Sequence, residues 1–268
     1  MARSEKEWEA HSDFVSQALD ESKTTDEIFK NDLGIWLEDR LELQTHLILE
    51  LWDAARTALR EGNAIIAGGM AGAGKTTVLT GPAGVDRNEY LVLNPDDIKV
   101  AMAQRGMIPA VDGLSPMEAS PLAHEEASEL AKRLAAMAHE EQVNVIWDIT
   151  MSSAKSVRGR IDWLEAASYS TVDGLFVDVP IAVGEARATK RYRDGQEAYD
   201  QGKGGYGGRF VPLDFIADSM PLRPKFTSRN QQVFSEVRDE FDSTAEYDNS
   251  GADPLLRRVT GTRWAQSA

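Results

Sequence analysis

The chain has 268 residues, 42% hydrophobic and 27% charged, which is enough for one large α/β domain with an appendage or for two small domains. It contains no cysteine, which excludes disulfides and thiolate metal sites and fits a reducing compartment. The net charge of −15 argues against broad contact with nucleic acid, and the absence of an apolar signal core or a bilayer-length apolar run makes a cytoplasmic location the expectation.

The charge is uneven. Residues 1–62 carry seven Lys/Arg against fifteen Asp/Glu, so half of the excess sits in the first quarter of the chain. Residues 4–20 read as a helix with Trp8, Val15, Ala18 and Leu19 on one face, and Glu21 to Asp32 as a polar loop. A stronger helix is expected from about Leu33 to Arg60. Its apolar positions are Leu33, Leu37, Leu41, Ile48, Leu51, Trp52, Ala55 and Leu59, with Gly62 as its C-cap. Nothing here suggests chemistry: His11 and His46 read as solvated or packing residues. Residues 1–60 are expected to be an acidic helical segment, either a cover packed on the remainder or a regulatory element, and 61–268 the main domain.

Ala64-Ile65-Ile66-Ala67 reads as a buried strand leading into Gly69-Met70-Ala71-Gly72-Ala73-Gly74-Lys75-Thr76-Thr77, with a helix opening at Thr76. This stretch fits the phosphate-binding pattern G-x-x-x-x-G-K-[ST] without a mismatch. Glycines let backbone N–H groups approach an anion, and the helix N-terminus adds partial positive charge. Lys75 is expected to reach the β- and γ-phosphates of a nucleoside triphosphate such as ATP, and the Thr76 hydroxyl to ligate Mg²⁺.

Tyr90 to Leu93 is a second strand, delivering Asn94-Pro95-Asp96-Asp97-Ile98-Lys99 at the end where α/β sheets bind ligands. The adjacent carboxylates suggest a catalytic base or a magnesium contact, and Asp97 could equally cap the next helix. A Pro- and Gly-rich loop from Gly106 to Pro121 is long enough to border a substrate pocket. A helix follows over 122–140, where His124 and His139 lack a spaced ligand partner. The third strand, Val143 to Asp148, ends in an acid suited to a second phosphate-site carboxylate holding Mg²⁺. An amphipathic helix with Val157, Ile161 and Leu164 and a strand from Val172 to Val179 come next. Arg187, Lys190, Arg191 and Arg193 then share a predicted helix ahead of the glycine-rich run 202–208 and Arg209. In an acidic chain such a cluster suggests a mobile lid bringing arginines to a transferred phosphate, with a solvated basic face as the alternative. A helix near 228–240 and two short strands, Thr244–Tyr247 and Leu255–Val259, complete the chain.

The glycine loop, the Asn94–Lys99 segment, Asp148-Ile149-Thr150, and Lys190-Arg191-Tyr192 followed by Arg209 together resemble the zeta toxin family of P-loop kinases over about residues 60–260. The resemblance implies an α/β fold with a P-loop NTPase-type parallel sheet flanked by helices, here preceded by an N-terminal helical segment. It implies transfer of phosphate from ATP with Mg²⁺ to the sugar 3′-hydroxyl of UDP-N-acetylglucosamine, by the toxin of a toxin–antitoxin pair. By position it implies that Asp96 is the base, that Lys75, Arg191 and Arg209 serve the transferred phosphate, and that residues 69–77 hold ATP. Asp96, Lys99, Asp148 and Thr150 fall on the acceptor side, and Thr76 and Asp148 at the metal. The sequence departs from the family pattern in three places. Ala71 stands where proline is usual, Asp148-Ile149-Thr150 where Glu-Gly-Thr is common, and Met151 where an arginine often follows. An acceptor other than the sugar nucleotide (a nucleoside, a nucleic-acid end or an antibiotic) and a nucleotide-dependent switch remain as alternatives. Control could come from an antitoxin or, in cis, from residues 1–60.

Overall fold

In the computed structural model, which describes residues 3–211 and 219–265, six strands form one sheet in the order β2-β3-β1-β4-β5-β6. They are β1 (Asn63–Gly68), β2 (Leu91–Leu93), β3 (Val145–Asp148), β4 (Thr171–Asp178), β5 (Ser243–Asp248) and β6 (Leu255–Thr260). The first five are parallel, and β6 pairs antiparallel with β5. β1 and β4 are buried along nearly their whole length, as strands covered on both faces must be; β1 reads as an apolar run, whereas β4 also buries Asp173. The chain leaves β1 toward one edge of the sheet and β3 toward the other, which makes the C-terminal ends of these neighbours the switch point where α/β sheets bind ligands. The register sets Ala67 of β1 beside Asp148 of β3, so the acid ends its strand next to the glycine loop.

Among the described residues the α-helices are α1 (Glu5–Asp20), α2 (Thr25–Phe29), α3 (Glu38–Ala54), α4 (Lys75–Thr80), α5 (Pro95–Gln104), α6 (His124–Glu140), α7 (Ala154–Ala166), α8 (Ile181–Asp200) and α9 (Arg229–Val237). None among the described residues is long and apolar enough to cross a membrane. Two compact units emerge. One comprises Met1–Leu51, Pro95–Arg133 and Thr189–Pro212, and the other Trp52–Asn94, Leu134–Ala188 and Leu213–Ala268. The second unit contains the whole sheet, on a core of Ile65, Val78, Leu79, Leu175, Val177, Tyr247 and Trp264. In the first, Trp8, Val15, Tyr192 and Phe210 pack together with Leu19 and Leu114 at their margin. Residues 1–51 therefore belong to one unit with two later stretches of chain.

The N-terminal segment departs from its expected layout. Glu21 to Asp32 is not all loop, because Thr24 and Glu27 form a capping box that starts α2. The long helix begins at Glu38 and not Leu33. The Asn31 side chain accepts from the N–H groups of Leu33 and Ile35, and Gly34 sits at φ +73°, so 31–35 is a turn. The helix ends at Ala54, so Gly62 does not cap it; Gly62 leads into β1. Its buried face is also different. Leu33, Leu37 and Leu41 are exposed, whereas Arg40, Gln44, Leu47 and Ile48 are buried. Arg40 donates through Nε and Nη2 to the two oxygens of Glu126 (2.8 and 2.6 Å) and through Nη2 to the Met107 carbonyl, and Gln44 donates to the same carboxylate.

Candidate functional site

The glycine loop runs from the end of β1 into α4. Gly74, the residue before α4, has φ +84° and no side-chain cap, so the first N–H groups of the helix are not occupied by a capping side chain. Gly72 has φ +76°, and a Cβ there would lie 2.1 Å from the Gly184 carbonyl oxygen, so only glycine fits between loop and α8. Met70 and Ala73 are buried and anchor the loop from beneath. Lys75 Nζ donates to the Gly69 carbonyl at 2.9 Å and lies 3.4 Å from Asp148 Oδ1. Asn94 donates to the other Asp148 oxygen at 3.2 Å, and Thr76 and Thr77 are exposed in the first turn of α4.

One brace was not anticipated from the sequence. Asn249, in the turn after β5, is 7% exposed; its Nδ2 donates to the Ala73 carbonyl at 2.7 Å. Arg187 donates to the Asn249 carbonyl at 2.8 Å, and the Asn249 N–H to the Asp178 carbonyl at 2.9 Å. Turning one loop carbonyl toward Asn249 holds the peptide planes that carry the loop's N–H groups. The sequence places this turn between two short strands but does not show what its asparagine touches.

At the end of β3, Asp148 and Thr150 flank Ile149. The Thr150 carbonyl accepts from Asn230 Nδ2 at 2.7 Å, and its hydroxyl lies 3.4 Å from Ser152 Oγ. Met151 is buried at φ +56°, with its sulfur filling the space a Gly68 Cβ would need. At this position the chain therefore presents a packed thioether instead of a cation. Asp178, at the end of β4, accepts from Thr227 Oγ1, and burial pushes its carboxyl above the usual aspartate range.

In the other unit Asp96 lies in the first turn of α5, where the helix dipole favours a carboxylate. Lys99 Nζ, one turn on and buried, lies 2.8 Å from its Oδ1, and Arg209 Nη1 donates to its Oδ2 at 2.9 Å. The cation cluster expected over Arg187–Arg209 is divided. Arg187 is turned to Asn249, Lys190 pairs with Asp194, and Arg193 forks onto Glu5 of α1 at 2.6 and 2.8 Å. Arg191 is exposed on α8, and Arg209 is on Asp96. His139 stacks on Trp163 at 3.6 Å. His11 is neither solvated nor simply packed: it bonds Glu118 in the expected substrate loop, and that loop buries its acid completely.

A parallel sheet with strand order 2-3-1-4-5, a glycine loop closing on the central strand and an acid ending the adjacent strand define a P-loop protein of the kinase-like class. The zeta toxin sequence pattern matches residues 52–250, about three quarters of the chain. The chain belongs to the zeta toxin family, whose members are kinase-like phosphotransferases. Residues 1–51 fall outside the match. The fold is similar to that in the AvrRxo1-ORF1:AvrRxo1-ORF2 crystal structure with sulphate ions, with a TM-score of 0.66, 15% identity, and coverage of 90% of this chain and 78% of that one. The same complex with ATP gives a TM-score of 0.66, 15% identity and coverage of 90% and 77%. A structure of the PezAT chromosomal toxin–antitoxin system of Streptococcus pneumoniae gives 0.58, 16% identity and 85% of each chain. No curated protein matches the sequence.

Proposed function

We propose that this chain is an ATP-dependent kinase of a small hydroxyl-bearing acceptor, with a UDP-sugar such as UDP-N-acetylglucosamine as the first candidate. The observation that carries the reading is Asp96, with Lys99 at one oxygen and Arg209 at the other, in a chain whose glycine loop matches the triphosphate-binding sequence pattern. An ATP-driven switch has no use for such an acid, whereas transfer to a hydroxyl needs a base within reach of its proton. In the proposed reaction the residues 69–77 and Lys75 bind the phosphates. Asp96 accepts the acceptor's proton as its oxygen bonds to the γ-phosphorus. The bond to the bridging oxygen breaks, ADP leaves, and Arg191 and Arg209 offset charge on the equatorial oxygens.

Among the described residues no cluster of three or more His, Asp or Glu could hold a metal on its own. One hydroxyl and one carboxylate, Thr76 and Asp148, would be the oxygen donors for a Mg²⁺ bound with the nucleotide. Bound there, the ion would neutralise charge on the phosphates. Lys99, Asp148 and Thr150 are proposed to face the acceptor.

Met151, packed where the family often has an arginine, favours a second reading in which the acceptor is a related sugar nucleotide or another small molecule. The family and the toxin–antitoxin complexes of similar fold support a role as the toxin of such a pair, with an antitoxin as partner. Residues 1–60 as a distinct segment ahead of a kinase domain are part of the same proposal.

The test is incubation with ATP, Mg²⁺ and UDP-N-acetylglucosamine, with products read by mass spectrometry. One added phosphate on the sugar nucleotide, lost by at least about a hundredfold in Asp96→Asn while the ATP Kd stays within about twofold, is the expected result. Loss of ATP affinity in parallel with activity would move Asp96 to the nucleotide side. ATP consumption with no phosphorylated acceptor would favour a switch.

A further inference from the structure

We infer that α1 is a working part of the transfer machinery: His11 and Tyr192, converging on the Glu118 carboxylate, set the position of Arg191 and Arg209. The inference rests on the reading that these arginines serve the transferred phosphate. Glu118 is wholly buried, yet it is a carboxylate in a chain with ample exposed surface for acids. Such a group is tolerated only if its lone pairs are met. Oε1 accepts from the Tyr192 hydroxyl at 2.7 Å and lies 2.6 Å from His11 Nε2. Oε2 accepts from the Ser115 N–H at 2.9 Å, with Ser115 Oγ also 2.9 Å away.

Both arms of this network end beside an arginine. Tyr192 follows Arg191 on α8, so fixing its hydroxyl fixes the rotation of the helix at Arg191. One turn later Gln196, 3% exposed, has Oε1 2.8 Å from Ser115 Oγ and accepts from the Gly208 N–H at 3.1 Å. Gly208 lies flat against α8, since a Cβ there would be 2.0 Å from the Tyr192 carbonyl oxygen, and Arg209 follows it. A chain of contacts thus runs from Glu118 through Ser115 and Gln196 to Gly208, and Arg209 completes it on Asp96.

The N-terminal helix closes this network from one side. His11 supplies a donor to Glu118, and the Trp8 ring packs edge-on to Tyr192 with centroids 5.6 Å apart. Arg193, also on α8, is forked onto Glu5. α1 thus supports the residues beside Arg191 and Arg209, so its loss is expected to reduce turnover.

The test uses the full-length chain with Tyr192→Phe, His11→Phe and His11→Gln, and with Arg209→Ala as reference. ADP formation is followed with UDP-N-acetylglucosamine and with water as the only acceptor, so the result does not depend on the acceptor's identity. Tyr192→Phe keeps the ring and its packing, and His11→Gln keeps a donor. A positional error of the order of 1 Å costs about a hundredfold. The expected result is therefore a fall in kcat of roughly ten- to a hundredfold in Tyr192→Phe and His11→Phe. The KM for ATP should stay within about twofold, and His11→Gln should recover most of the loss. Far-UV circular dichroism matching the parent sets folding apart. Unchanged or raised kcat in both Phe variants, with Arg209→Ala inactive, would overturn the inference and leave the kinase reading in place. An Arg209→Ala protein as active as the parent would overturn both.

Discussion

Arg40→Met tests how firmly residues 1–51 are built into their unit. Arg40 and Glu126 are 4% and 0% exposed at their side chains and are joined by two parallel bonds. Methionine fills much of the space of the arginine stem but takes two donors from Glu126, to which Gln44 still donates, and removes the Arg40 bond to the Met107 carbonyl. Breaking a buried pair on one side costs about 3–5 kcal/mol, because an uncompensated charge stays buried. At about 2–4 °C per kcal/mol for a chain near this size, the thermal midpoint should fall by roughly 6–20 °C. Replacing both partners, Arg40→Met with Glu126→Leu, should recover much of that, since an apolar pair of similar volume carries no stranded charge. The assay is thermal unfolding followed by circular dichroism and calorimetry, the latter to see whether the two compact units melt separately. A shift below about 2 °C in Arg40→Met, or a double variant no better than the single one, would refute the claim that a buried ion pair fastens α3 to α6.

Other outcomes follow from single contacts. Gly72→Ala sets a Cβ 2.1 Å from the Gly184 oxygen at a left-handed φ, so ATP binding measured by calorimetry should be lost or cut by more than about tenfold. Asn249→Ala removes the donor to the Ala73 carbonyl, a change of about 1–2 kcal/mol, and should weaken ATP binding roughly tenfold with the sheet's melting little altered. Burial raises the Asp178 carboxyl, so the folded chain holds that proton more tightly than the unfolded one. Its contribution is full below the ordinary aspartate pKa of about 4 and is lost as pH rises through the raised value. Asp178→Asn should therefore gain stability over the parent at pH 7 relative to pH 4 in denaturant titrations. A difference between the two proteins that does not vary with pH would contradict the shift.

The glycine loop, its strand and its helix were legible because each depends on local chemistry. Glycine suits the left-handed φ of Gly72 and Gly74, and β1 is an apolar run because both of its faces are covered. The two capping boxes, Ser4 with Glu7 and Thr24 with Glu27, are equally local, and attention to Thr24 would have revealed α2. The turn at Asn31 to Gly34 carries its own signal as well, against which the leucine spacing was misleading.

The sequence by itself determined the class of protein, the strand–loop–helix expected to bind phosphate, and the acids at the end of β3 and the start of α5. Only the tertiary structure decided which polar residues go inside. Apolar periodicity assigns Leu33, Leu37 and Leu41 to the buried face, but Arg40 and Gln44 take it because Glu126, far along the chain, is there to meet them. The same holds for Glu118 with His11 and Tyr192, and for Asn249 with Ala73. An apolar side chain is stable in almost any core, so its pattern can be read along the chain. A buried polar group is stable only beside its own partner, and that partner is supplied by the fold.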